Sequence, residues 1–228
     1  DQGAEGACAA FTCTYAKTID YYYRTSATSY SNSVNVFSPE YTYDYTVFSD
    51  CGGGTSITLC LDLFKNKGCC LLGSLPYNDQ NGCTPSIVSG FDTEAAKYKI
   101  GSYSKILKTD RATIKSMLAA NHPVIITLSV DSRFVNAKAG FIWSDSTYLG
   151  DAATGHSVCL TGYDDITGTY SFINSWGTSW CDAGHGRITY NLVEGNKVCG
   201  YYAFVIGDAI TPPPPPPGVT PGSPATLG

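Results

Sequence analysis

The sequence predicts an α+β fold in which helices come first and strands follow. Three observations carry this. Before about residue 95, small and apolar residues recur at i, i+3 and i+4 between recognisable helix starts. After it, short apolar runs are separated by Gly, Asp and Asn turns. The composition is that of a folded domain, with 43% hydrophobic and 14% charged residues. The expected organisation is a helical lobe over 1–95, a β-rich lobe over 96–210 and a proline-rich linker or tail over 211–228.

Ala7, Cys8, Ala10, Phe11, Tyr15, Ile19 and Tyr22 predict a helix over 7–24, directly after Gly6. Residues 25–37 are rich in Ser, Asn and Thr and read as a loop. Ser38-Pro39-Glu40 starts a second helix, with Ser as N-cap, Pro at the first helical position and Glu in the first turn. Gly52-Gly53-Gly54 breaks the chain before a third helix over 55–67. A fourth, over 111–120, precedes a buried strand at 124–128. Further strands are expected at 157–161, 169–174, 186–190 and 201–206. Six consecutive prolines at 212–217 predict an extended spacer.

The net charge is −5, and no cluster of Lys and Arg exists to neutralise phosphates, so nucleic acid is excluded as a partner. No apolar run approaches the ~20 residues that span a bilayer, so no membrane role is expected. The chain opens at Asp1-Gln2-Gly3 without a Met, as a processed product or a fragment does. Ten cysteines suggest disulfides and an oxidising compartment, outside the cell or in a lysosome-like vacuole. Zinc sites need ligands at short spacing such as C-x₂-C. The only close pair is Cys69-Cys70, whose adjacency makes a poor chelate, so no metal and no cofactor is expected.

Cys8 falls at the predicted start of the first helix, where free backbone N–H groups and the helix dipole favour a thiolate, the nucleophile of acyl transfer. Of the three histidines, His122 precedes a strand in a turn and His185 lies between glycines. His156 lies where a loop enters an apolar strand, the setting for a base that reaches across a cleft. Asn174 stands in Asn174-Ser175-Trp176-Gly177, where its amide can hold an imidazole in one tautomer while Trp176 covers the bond.

Gln2-Gly3, Cys8, Gly53-Gly54, Gly155-His156 and Asn174-Ser175-Trp176-Gly177 occur in the order and spacing of the papain-like cysteine peptidases, the papain/cathepsin family. His156 follows Cys8 by 148 residues and Asn174 follows His156 by 18, within the family's usual distance of about 130–150 from Cys to His and Asn for the first of these. The resemblance runs from Gln2 to about Val205. It implies a two-lobe fold, with a helical N-terminal lobe, an antiparallel β-barrel-like C-terminal lobe and the active site in the cleft between them. It implies Cys8 as nucleophile, His156 as base, Asn174 as orienter, Gln2 as oxyanion-hole donor with the Cys8 N–H, and Trp176 as shield. Gly53 and Gly54 would bind an extended peptide, and Thr55, Ser56, Thr154 and Phe204 would line the pocket for the second residue before the cut. The activity implied is hydrolysis of peptide bonds through a thioester, as an endopeptidase, from a resting thiolate–imidazolium pair. The implied partners are protein or peptide substrates, a propeptide and cystatin-type inhibitors, for a monomeric enzyme that is secreted or lysosomal/vacuolar.

The sequence departs from the family motif C-G-[SA]-C-[WY], reading Glu5-Gly6-Ala7-Cys8-Ala9. The Cys replaced by Glu5 normally pairs with the one before the double glycine, here Cys51, which leaves Cys13 or Cys60 as its candidate partners. Cys70 with Cys83 and Cys181 with Cys199 are expected local bridges, and Cys159 a buried thiol. Glu5 is expected to face solvent, and Ala9 to leave Gln2 less supported. Competing readings are a catalytically silent papain-fold binding module and a transglutaminase-like acyl transferase. The latter resembles a Cys-His-Asp order, and the Asn-Ser-Trp-Gly context of Asn174 argues against it.

Overall fold

The computed structural model describes residues 1–50, 52–80, 88–144, 154–195 and 200–207. Helices α1 (Cys8–Arg24), α2 (Pro39–Thr46) and α3 (Ile57–Asn66) come first. A short helix α4 (Asp92–Ala95) follows, flanked by 3₁₀ turns. Then come β1 (Tyr103–Leu107), α5 (Arg111–Ala119), β2 (Val124–Val130), α6 (Ser132–Val135) and β3 (Ile142–Trp143). The chain continues through β4 (Thr154–Asp164), β5 (Thr169–Ile173), β6 (His185–Thr189), α7 (Tyr190–Glu194) and β7 (Tyr202–Ile206).

The helix starts follow local chemistry. The Ser38 hydroxyl accepts from the Tyr41 N–H ahead of α2, with Pro39 in the first turn. Ser56 does the same for α3 through Leu59, so the cap is Ser56 and the helix opens two residues later than the pattern suggests. Asp110 caps α5 through Thr113. That helix ends at Asn121, whose positive φ of 63° suits Asn better than most side chains.

The strands form one sheet in the order β1-β7-β2-β4-β5-β6-β3. Every pairing is antiparallel except β3 with β6. Among the described residues the sheet stays open, so the expected barrel is not closed. Its outer members are β1 and the two-residue β3, which runs parallel to its neighbour.

β2 and β4 are buried on both faces. Val124, Ile126, Leu128 and Val130 of β2 and Val158 and Leu160 of β4 join one core with Phe134, Trp143 and Phe172. The alternate residues Ile125 and Cys159 join the other core, with Ala9, Ala10, Cys13 and Ala16 of α1. The small residues on that side of α1 let the helix lie close against β4.

Glycine is required where α1 begins. A Cβ on Gly6 would stand 2.7 Å from the Gly54 nitrogen and 3.0 Å from the Gly52 oxygen. Gly54 itself has φ +69°. The segment before the nucleophile therefore rests directly on the glycine loop.

The seven described cysteines, Cys8, Cys13, Cys60, Cys69, Cys70, Cys159 and Cys181, are thiols. Cys159 is buried, as its place in the strand suggests. Cys51, Cys83 and Cys199, and with them the bridges expected to use them, lie outside the described residues, as does the proline run. The Cys13 thiol of α1 donates to the Ile57 carbonyl of α3 at 3.9 Å, and Cys60 meets the Thr46 hydroxyl at 3.6 Å.

Lys17 of α1 is 1% exposed. Its ammonium donates to the Tyr98 carbonyl at 2.5 Å and lies 4.2 Å from the Phe37 ring centre. Burial lowers its pKa from 10.5 to about 8. Between those values the folded chain binds fewer protons than the unfolded chain, so stability rises with pH across that window. The rise is on the order of 3 kcal/mol. Urea unfolding of the native chain and of Lys17→Met tests this: the native chain gains on the variant as pH climbs from about 8 to 10.5. A pH-independent gap between the two contradicts it.

Candidate active site

Cys8 is the first residue of α1, and Ala7 before it offers no side-chain cap. The first-turn N–H groups therefore remain open toward the sulfur. The backbone N–H groups of Ser157, Ala9 and Cys8 near the sulfur favour the thiolate. Burial outweighs them and pushes the thiol above its usual value.

One turn along α1, the Thr12 hydroxyl donates to the Ser157 carbonyl at 2.9 Å. The helix thus holds residue 157 by its carbonyl through Thr12, with Cys8 near its N–H. His156 is the residue immediately before, and its Cα is fixed by the pairing of Leu128 with His156 between β2 and β4. The strand begins at Thr154, so His156 lies within β4 and not at its mouth.

Register explains the third member. Cys159 faces Ile173 and Leu160 faces Phe172 between β4 and β5. Continued past the end of β5, that register carries residues 174–176 alongside 156–158. Accordingly His156 Nε2 lies 2.7 Å from Asn174 Oδ1. The Ser175 N–H donates to the same oxygen at 2.9 Å, which marks Oδ1 as an acceptor. Nε2 must then carry the proton, and Nδ1 is left as the basic nitrogen.

The Trp176 ring lies over the imidazole, with centroids 4.4 Å apart and planes at 32°, and Phe134 meets it edge-on at 5.7 Å. His156 is 4% exposed. Burial lowers its pKa to about 4, against the opposing hydrogen bond that it donates to Asn174. Burial thus raises the Cys8 thiol and lowers the His156 imidazolium.

Gln2 is tied at four points. Its N–H donates to the Ser175 carbonyl at 2.8 Å. Its Oε1 accepts from the Ser175 hydroxyl at 2.6 Å, and Nε2 donates to the Glu5 carbonyl at 2.8 Å. Its own carbonyl accepts from the Tyr77 hydroxyl at 2.8 Å. One of the two Nε2 hydrogens is left for a ligand.

Glu5 does not face solvent. It is 5% exposed, and its Oε2 lies 2.6 Å from the Tyr77 hydroxyl oxygen. Tyr77 gives the carboxyl a partner, which is why burial is tolerated.

The expected substrate contacts are less free than the sequence implies. The Gly53 N–H donates to Asp50, and the Gly54 carbonyl accepts from Phe48. The Thr55 hydroxyl donates to the Thr46 carbonyl at 2.8 Å and approaches Cys60. Ser56 is spent on its helix cap. Thr154 is exposed at the start of β4, and Phe204 packs against the α1-side core opposite Ile125. His122 lies 3.3 Å from Asp20 and His185 turns to the Ala183 carbonyl, both in other surroundings.

Ser157, Thr12, Ser175 and Tyr77 carry no individual role in the sequence reading. Ser175 stands inside the quoted motif and was within reach. Tyr77 has no local signal, since its partners lie more than 70 residues away.

Residues 1–207 match the family described as papain family cysteine protease. The chain is 32% identical to the gamete and mating-type specific protein A of Dictyostelium discoideum over 196 residues, 83% of this chain and 39% of that protein. It is 27% identical to the low-temperature-induced cysteine proteinase of Solanum lycopersicum over 205 residues, 88% of this chain and 55% of that one. The chain thus spans about half or less of the length of these curated relatives. Among solved structures, xylellain, a cysteine protease from Xylella fastidiosa, superposes with a TM-score of 0.74 at 20% identity, covering 90% of this chain and 81% of the other. At that identity the likeness speaks for the fold. With the family match running through the whole folded body, this chain belongs to the papain family of cysteine proteases and has the papain-like α+β fold.

Proposed function

We propose that this chain is a cysteine peptidase that hydrolyses peptide bonds through a thioester on Cys8. The observation that carries the reading is the His156–Asn174 bond, which commits Nε2 and leaves Nδ1 basic, next to the Ser157 carbonyl that Thr12 of α1 holds. Nδ1 takes the thiol proton as the sulfur attacks the substrate carbonyl. Charge then appears on the sulfur's target and on the imidazole together, under a Trp176 cover that excludes water. The free Gln2 Nε2 hydrogen and the Cys8 N–H stabilise the oxyanion, His156 returns the proton to the leaving amine, and water hydrolyses the thioester by the same route. Gly53, Gly54, Thr55, Trp176 and Phe204 form the substrate groove, with endopeptidase action.

The lobes 1–95 and 96–210, with 211–228 as linker or tail, describe the working organisation. Substrates are proteins or peptides. A propeptide and cystatin-type inhibitors are further partners, the first supported by fold neighbours that include a procathepsin of Tenebrio molitor. The family resemblance supports a secreted or lysosomal/vacuolar location for a monomer. The motive for a silent module weakens, because the Glu5 carboxyl is held by Tyr77.

Cys8→Ala removes turnover of a fluorogenic peptide, whereas Gln2→Ala retains a residue of it, slowed by about 10²–10³. Undiminished hydrolysis by Cys8→Ala sinks the assignment. The pH profile of kcat/KM gives a second check. Once His156 is protonated its Nδ1 cannot accept the thiol proton, so activity falls as pH drops through about 4. An acid limb centred on the ordinary histidine value of 6.5 contradicts the buried, neutral base.

A further inference from the structure

The Tyr77 hydroxyl has one hydrogen and two acceptors. Its oxygen lies 2.6 Å from Glu5 Oε2 and 2.8 Å from the Gln2 carbonyl. A carbonyl and an ionised carboxylate can only accept, so the two contacts compete for one proton. A proton on Glu5 Oε2 resolves the shortage: Glu5 donates to the Tyr77 oxygen, and Tyr77 donates to the Gln2 carbonyl. Both bonds are then complete.

The surroundings favour that proton. Glu5 is 5% exposed, and the titratable groups facing it are Glu40 and Tyr43 from α2 and Tyr77 and Asp79 from the segment after α3. These are carboxyls and phenols. Glu40 accepts from the Asn78 N–H and Asp79 from the Ala4 N–H, each at 3.0 Å, so the same loop brackets the 2–5 segment. Burial, then the Glu40 and Asp79 charges, raise Glu5 despite the lowering bond from Tyr77. Tyr77 is pushed far above the usual phenol value and stays a donor.

We propose that Glu5 and Tyr77 are positioning residues for the oxyanion glutamine, forming a relay Glu5→Tyr77→Gln2 that is complete when Glu5 is protonated and one hydrogen bond short when it ionises. The relay rests on the reading of Gln2 as an oxyanion donor. Gln2 Nε2 bonds the Glu5 carbonyl, so the relay closes a ring through Gln2, Glu5 and Tyr77 that fixes the amide. An oxyanion donor acts only in the transition state, so the relay acts on kcat and leaves KM nearly unchanged. The stability linkage has the same sign. Glu5 holds its proton in the folded chain above the pH at which the unfolded chain releases it, so stability declines as pH rises through that interval.

The test is kcat and KM for the native chain, Glu5→Gln, Tyr77→Phe and Gln2→Ala on one fluorogenic peptide, from about pH 4.5 to about pH 8. The amide of Glu5→Gln offers Tyr77 a donor at every pH. The expected result is a Glu5→Gln to native kcat ratio that climbs at least about threefold across the range, with KM ratios flat. Tyr77→Phe lowers kcat about tenfold at the acid end. A Glu5→Gln to native ratio that does not change with pH overturns the relay even if Tyr77→Phe misfolds. If Gln2→Ala is slow while that ratio is constant, the relay alone falls. If Gln2→Ala turns over like the native chain, the oxyanion reading falls and takes the relay with it.

Discussion

The contact on which the rest depends is α1 lying against β4 and holding residue 157 by its carbonyl. The Thr12 hydroxyl ties the helix to the strand there, one turn after the nucleophile. The arrangement needs small residues on the helix, and Ala9, Ala10, Cys13 and Ala16 supply them. It also needs strands buried on both faces, because the side of β4 that does not meet α1 carries His156 into the other core. The alternation of a strand thus assigns the two jobs: residue 157 faces the helix, and residue 156 faces Trp176 and Phe134.

From that contact the chemistry follows as a balance between burial and directed hydrogen bonds. The imidazole is covered on one face by Trp176 and at its edge by Phe134, and the cost of that cover is a base that resists protonation. The thiol is likewise raised by burial, against the lowering effect of nearby backbone N–H groups. The proton therefore has a low barrier to cross only when the attack creates a partner charge. Electrostatic stabilisation in such a dry site is larger than at the surface, which suits a reaction whose charges appear together. The same logic recurs at Glu5, where a carboxyl that could not stay buried alone does so through a phenol and a backbone carbonyl.

The helices α1, α2, α3 and α5 and five of the seven strands were legible from periodicity and cap residues, within a few residues at each end. What failed to show locally is instructive. β1 buries only Ile106, so it has no clear alternation, and β3 has two residues. The open sheet could not be foreseen from strand patterns, since closure depends on pairing between distant edges. Within the site, Cys8, His156 and Asn174 were readable because motif and spacing constrain them together. The inward turn of Glu5 was not, because its reason lies in Tyr77. Likewise Thr55 and Gly54 look free in sequence, yet their polar groups are engaged by Thr46 and Phe48.

The central claim is that the Cys8 sulfur and His156 Nδ1 form one reactive unit. Intact-mass and peptide-mapping measurement of a peptidyl epoxide reacting with the reduced, folded chain tests it most directly. The account predicts one adduct, on Cys8, which His156→Ala slows by orders of magnitude while the other thiols stay unmodified. An adduct that forms equally fast without the imidazole, or that falls on another cysteine while Cys8 remains free, would contradict it.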